Sequence, residues 1–405
     1  MSDWRDRAEA VIPGGASTGS KRAEALYGAG GDGPTHFTAA SGCTLVSADG
    51  EELVDCTMAL GSVAIGYADD VITQHVIAAA SAGTVAGLSS TLEVEVAERL
   101  CDLIPCAEQV RFLKSGAEAV SAAVRLARAA TGRSTVVACG YFGWHDWSSD
   151  SAGVPAGVPA GVPAGARADV VRVPFDDDEA LRRAVSAAGS DLAAIVLEPV
   201  IERLPSDAWI RSARALCDST GAVLVFDELK TGFRLRTGGF QELSGVEPDL
   251  ATFGKAMANG YPLAAVVGRA AIMDAARERT WISSTLAGET IALAAASGVL
   301  DWHERAEVCE SLAEIGGEMR RAVESAVRSS GIGGVEVVGL DQMWLLRFDT
   351  PERETDFLRR ALGHGALFKR GAYNYAALAH DDDALFAIER AASTALVEMR
   401  EGGGR

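Results

Sequence analysis

The sequence predicts an α/β fold: a mostly parallel central sheet with helices on both faces, plus a smaller α+β domain. Two observations predict it. From about Gly61 to Ala292, apolar β-branched runs of about five residues alternate with Ala-rich helical stretches. That alternation is the pattern of parallel strands joined by crossover helices. From Leu293 the pattern changes. A long helical region runs to Ser329, two strands follow, and two terminal helices finish the chain. The expected division is residues 1–60 as an N-terminal segment joining the small domain, 61–292 as the large domain, and 293–405 as the C-terminal small domain.

The first segment is rich in Gly, with turn clusters at Pro13-Gly14-Gly15 and at residues 28–34. Short strand-like pieces at residues 44–46 and 52–54 flank the turn signal Asp49-Gly50. Residues 28–33 spell G-x-G-x-x-G, yet they follow Ala25-Leu26-Tyr27 and meet Pro34 at once. A dinucleotide site needs a strand before the glycines and a helix after them, so a plain turn is expected. The clearest strands of the large domain are residues 110–113, 135–138, 194–197 and 222–226, with a further short run at 250–254. Ala-Gly-Val-Pro repeats three times over residues 152–163. Proline at every fourth position forbids a helix, and a mobile, partly extended loop is expected.

Composition narrows the partners. The 405 residues carry a net charge of -19 and are 48% hydrophobic. No basic field exists to hold phosphates, which argues against nucleic acid and anionic membrane surfaces. Seven scattered cysteines form no zinc-ligand pattern and read as buried reduced thiols. The start lacks a signal-peptide pattern, and no apolar run approaches the ~20 residues of a membrane span, so a cytoplasmic location is expected.

The chemistry-bearing residues stand just beyond the carboxyl ends of the apolar runs. Ser115-Gly116-Ala117 follows residues 110–113, and Tyr141 follows 135–138. Glu198 follows 194–197, Asp227 follows 222–226, and Lys255 follows 250–254. Open α/β sheets bind ligands in that crevice. A lysine there, with an acid ending an earlier strand, is what pyridoxal 5′-phosphate (PLP) chemistry needs. The lysine forms a Schiff base with the cofactor aldehyde, and the acid pairs with the protonated ring nitrogen. Ser115 with Glu118 reads as a capping box, and a helix N-terminus with Gly and a hydroxyl also suits a phosphate. Tyr141 suits a stacking role on a flat ring.

Ile12-Pro13-Gly14-Gly15, Ser115-Gly116-Ala117-Glu118-Ala119, Glu198-Pro199-Val200, Asp227 to Arg234 and Phe253-Gly254-Lys255 together resemble class III PLP-dependent aminotransferases, in the glutamate-1-semialdehyde aminomutase-like branch. The resemblance spans nearly the whole chain. It implies a fold type I homodimer with a shared active site. It also implies that Leu229 lies under the cofactor ring, where Val or Ile is usual, and that Thr285 is lent to the neighbouring subunit's phosphate. Three departures stand out. Tyr141-Phe142-Gly143 replaces the usual Tyr-His-Gly. Lys21, beside Arg22, fills the slot of an arginine that holds the substrate carboxylate, and Arg and Lys are not equivalent there. The repeat loop does not resemble the aminomutase's active-site loop. The expected activity is amino transfer from an amino-acid donor to a ketone or aldehyde acceptor, with a sugar or cyclitol as candidate acceptor. An aminomutase or racemase using the same lysine is the alternative.

Overall fold

The computed structural model describes residues 4–149, 160–277 and 279–402. Residues 150–159, which hold most of the Ala-Gly-Val-Pro repeat, lie outside the described residues. Contacts divide the chain into two compact units: residues 1–70 with 307–405 (unit 1), and residues 71–306 (unit 2).

Unit 2 is built on a seven-stranded sheet. Its spatial order is Gln109–Leu113, Ala264–Gly268, Leu250–Phe253, Val223–Asp227, Leu192–Leu197, Thr135–Cys139 and Val170–Arg172. Ala264–Gly268 pairs antiparallel with both its neighbours, and every other pairing is parallel. Six strands therefore run in one direction, and their carboxyl ends share an edge. The strands read almost continuously apolar because both faces are covered. The helix Gly116–Thr131 lays Val120, Ala123, Val124 and Ala127 against Val136, Ala138, Ala194, Val196, Val223 and Val225. Val137, Ile195, Leu224 and Phe226, on the opposite face, are equally buried.

Unit 1 carries two small sheets. Phe37–Ser41, Thr44–Ser47 and Glu52–Asp55 form an antiparallel meander, joined in parallel by Ala366–Leu367. Val335–Leu340, Met343–Phe348 and Asn374–Tyr375 form the second sheet. The helices Val308–Ser330, Pro351–Gly363 and Asp382–Gly402 belong to the same unit. Gly28 caps the helix Ala23–Tyr27 at φ 80°, and the next element is a strand. The glycine-rich motif thus has a helix before it and a strand after it, the reverse of a dinucleotide site. The helical stretch expected from residue 293 is two helices, Thr290–Arg305 and Val308–Ser330, and the first stays with unit 2.

All seven cysteines are free thiols, six of them buried. Burial pushes Cys106, Cys139 and Cys217 up to about 12. No group of acidic, histidine or cysteine side chains among the described residues could hold a metal ion. No helix there is long and apolar enough to cross a membrane.

Candidate active site

The parallel register sets the site. Leu197 lies beside Phe226, and Asp227 beside Thr252, on adjacent strands. Asp227 is the last residue of its strand and only 3% exposed. Its Oδ1 accepts from the Leu229 N–H and from Thr252 Oγ1, both at 3.1 Å. Its Oδ2 accepts no hydrogen bond among the described residues. Burial pushes the carboxyl up to about 7; Glu198 adds to the rise and Lys255 opposes it.

Lys255 follows Gly254 at the end of the next strand. It sits at φ 47°, a left-handed conformation that is uncommon outside glycine. Its ammonium makes no hydrogen bond or ion pair among the described residues. Burial holds it below the ordinary lysine value, against the pull of Asp227.

Glu198 carries two connections. Its Oε2 accepts from the Tyr141 N–H at 3.1 Å, and its Oε1 pairs with Lys230. Gly140, at φ 126°, lets the chain pass this carboxylate; a Cβ there would lie 2.4 Å from Glu198 Cβ. The Tyr141 ring stays half exposed, whereas Phe142 is buried, stacked on Trp147 at 5.9 Å.

The helix Gly116–Thr131 opens beside them. Ser115 Oγ accepts from the Glu118 N–H at 3.3 Å, and Glu118 Oε2 accepts from the Ser115 N–H at 2.8 Å. The capping box read from sequence is therefore formed, and the Gly116 and Ala117 N–H groups face no intrahelical acceptor. A Cβ on Gly116 would meet Leu229 Cδ1 at 2.5 Å, and one on Gly254 would meet Leu229 Cδ2 at 2.7 Å. Leu229 thus lies between two side-chain-free positions. A Cβ on Gly143 would meet Ala117 Cβ at 2.4 Å.

Ser115, Gly116, Ala117, Tyr141, Glu198, Asp227, Leu229 and Lys255 are therefore brought to one edge of one sheet. Thr285 is not among them. It is exposed and lines an open cavity of about 690 Å³ with residues 82–90. Lys21 and Arg22 belong to unit 1, where Lys21 ends the 3-10 turn Gly19–Lys21 and both side chains are exposed. Sequence reasoning missed Lys230 and Thr252. The first lay unassigned inside a quoted motif, and the second emerges only once strand register pairs it with Asp227.

These residues fit PLP: a half-buried amine without a hydrogen-bond partner among the described residues, a buried carboxyl with one oxygen unspent, and a helix N-terminus with free N–H groups. The comparisons agree. The aminotransferase class-III family matches residues 27–378. The chain belongs to the class-III aminotransferases. Its cofactor is PLP, as in that family. The 3-aminobutyryl-CoA aminotransferase of Cloacimonas acidaminovorans (strain Evry) is 30% identical over 98% of this chain and 96% of that protein. A glutamate-1-semialdehyde 2,1-aminomutase of Sorangium cellulosum (strain So ce56) is 34% identical over 91% of the chain and 87% of its own length. Among solved structures, the PLP internal aldimine form of the Sphingopyxis sp. MTA144 FumI protein superposes with a TM-score of 0.91. It is 28% identical, covering 99% of this chain and 97% of the other. Fold type I, read from the resemblance, is thus the fold of this aminotransferase.

Proposed function

We propose that this aminotransferase moves an amino group from an amino-acid donor to a ketone or aldehyde on a sugar, cyclitol or other polyol, with Lys255 as the proton-moving base. The observation that carries the chemistry is the half-buried Lys255 ammonium, without a hydrogen-bond partner among the described residues, in one cluster with buried Asp227. When bound, PLP supplies an aldehyde that condenses with amines and a ring that accepts electrons. Lys255 Nζ, its charged form disfavoured by burial, would take the proton from the substrate Cα. Asp227 would accept the hydrogen bond of the protonated ring nitrogen on its unspent Oδ2. Ser115 and the N–H groups of Gly116 and Ala117 would hold the phosphate. Tyr141 would cover one ring face and Leu229 the other. Glu198, braced by Lys230, would fix the backbone that carries Tyr141.

The polyol acceptor rests on Lys21 standing where the resembling aminomutases have an arginine. Lys21 and Arg22 would then serve a donor carboxylate as point charges. The test preloads the enzyme with an amino group, removes the donor, and mixes it with a panel of carbonyl acceptors. Carbonyl polyols should be aminated fastest, and Lys255→Ala should aminate none. Fastest consumption of glutamate semialdehyde, with inert polyols, would replace this reading with the aminomutase one. That second reading is favoured by the aminomutase names among the relatives. An isomerase would turn over one substrate without a second.

A further inference from the structure

Unit 1 holds a cavity of about 420 Å³, separate in its lining from the Lys255 cluster. Its walls are largely apolar: Ile12, Leu26, Leu45, Leu53, Leu60 and Leu367. That volume is within the range of small-ligand pockets. Most of its polar lining is already spent. Asp55, 1% exposed, accepts from the Thr57 N–H and from Tyr67 Oη, each at 2.7 Å. Tyr27 Oη donates to the Pro34 carbonyl at 2.7 Å. Ser47 Oγ accepts from the Asp49 and Glu51 N–H groups.

Lys369 is different. It lines this cavity, is 6% exposed, and its ammonium makes no hydrogen bond or ion pair among the described residues. Only its backbone is engaged, through the Asn374 side chain at 2.9 Å. The acidic group that acts on it, Glu354, accepts from the Gly371 N–H at 2.7 Å and approaches Arg370 at 3.8 Å. A buried ammonium without a partner is costly, and an arriving anion removes the cost. Lys21, on the same lining, adds a second cation. Met58, Ala59 and Leu60 take left-handed φ values of 41°, 50° and 61°, and the last two line the cavity. Such strain persists where the surroundings over-determine it, and it concentrates at ligand clamps.

We propose that this cavity is a binding site for a small carboxylate with an apolar body, its carboxylate paired with the Lys369 ammonium and its body packed on the leucine-rich wall. The carboxylate belongs either to the amino donor or to a separate effector.

The probe is 4-phenylbutyrate, titrated calorimetrically into the holoenzyme beside the neutral 4-phenylbutan-1-ol. The acid should bind at least ~10-fold tighter than the alcohol. Lys369→Met should erase that ratio and Lys369→Arg should keep it. Acetic anhydride should acylate Lys369 of the unaltered enzyme more slowly with the acid present, as read by peptide mass; this arm survives a variant that fails to fold. Displacement of the acid by the amino donor assigns the site to the donor's carboxylate. Retention beside saturating donor and acceptor assigns it to an effector. The proposal is overturned if the alcohol binds as tightly as the acid, if neither binds below ~10 mM, or if acylation is not slowed. Binding is read without turnover, so its failure leaves the transamination reading standing.

Discussion

Asp227 shows what one buried side chain imposes. Its carboxyl is raised to about 7 by burial, so protonation is favoured in the folded chain relative to the unfolded one. Its contribution to stability is complete below the ordinary value of 3.8 and is lost as pH rises through about 7. Glu228, fully buried and also raised to about 7, acts in the same direction. The Asp227→Asn apoprotein should therefore gain melting temperature over wild type on going from pH 5.5 to pH 8, by roughly a few degrees. A pH-independent difference in differential scanning calorimetry would refute the linkage. The same substitution should lower turnover of the holoenzyme on the order of 10²–10³-fold, because it removes a charge aimed at the ring.

Elements decide how closely the pieces approach. The turn entering Gly116–Thr131, the loop after Asp227 and the end of Leu250–Phe253 meet at Leu229 because Gly116 and Gly254 lack a Cβ. Gly116→Ala should cost about 1–3 kcal/mol by overpacking and weaken cofactor retention. Leu229→Val removes the two Cδ atoms in conflict, so the double variant should recover most of that loss. A double-mutant cycle in thermal stability and cofactor release reads the coupling; additive effects would show that Leu229 is not the obstacle.

Much of this site was legible because ligand residues follow strands, and strands announce themselves by apolar runs. Ser115, Tyr141, Glu198, Asp227 and Lys255 could be lined up without knowing which strand neighbours which. Pairing was not legible. Ala264–Gly268 is five small or branched apolar residues, and nothing local says that it inserts antiparallel between Gln109–Leu113 and Leu250–Phe253. The Thr252–Asp227 bond depends on Val223–Asp227 pairing with Leu250–Phe253, and the Lys230–Glu198 pair on Leu192–Leu197 lying beside Val223–Asp227. Phe142, where the resembling family has histidine, became a buried stacking partner of Trp147, which explains the apolar residue there.

At the scale of the whole molecule, Thr285 stands apart from the residues gathered around Lys255. Thr285 is exposed and lies in a cavity that shares no lining residue with the Lys255 cluster. We propose a homodimer in which each chain lends Thr285 to the other's phosphate. Sedimentation should give a two-subunit species. Thr285→Ala should release PLP more readily, since it removes a hydrogen bond worth on the order of 1–3 kcal/mol to a charged group. A fully active monomer would end this proposal.

The thiols carry a practical consequence. Six of the seven are sealed in the interior, and Cys101, on the helix Thr91–Leu103, is the partly open one. Cysteine reagents need an accessible thiolate. Cys101 is therefore the most accessible attachment point for a spectroscopic probe among the seven thiols, and labelling it calls for a pH high enough to ionise a thiol that partial burial and Asp102 raise. A dye on Cys101 would sit on unit 2, at a known place on the helix Thr91–Leu103, in a chain whose other six thiols are buried.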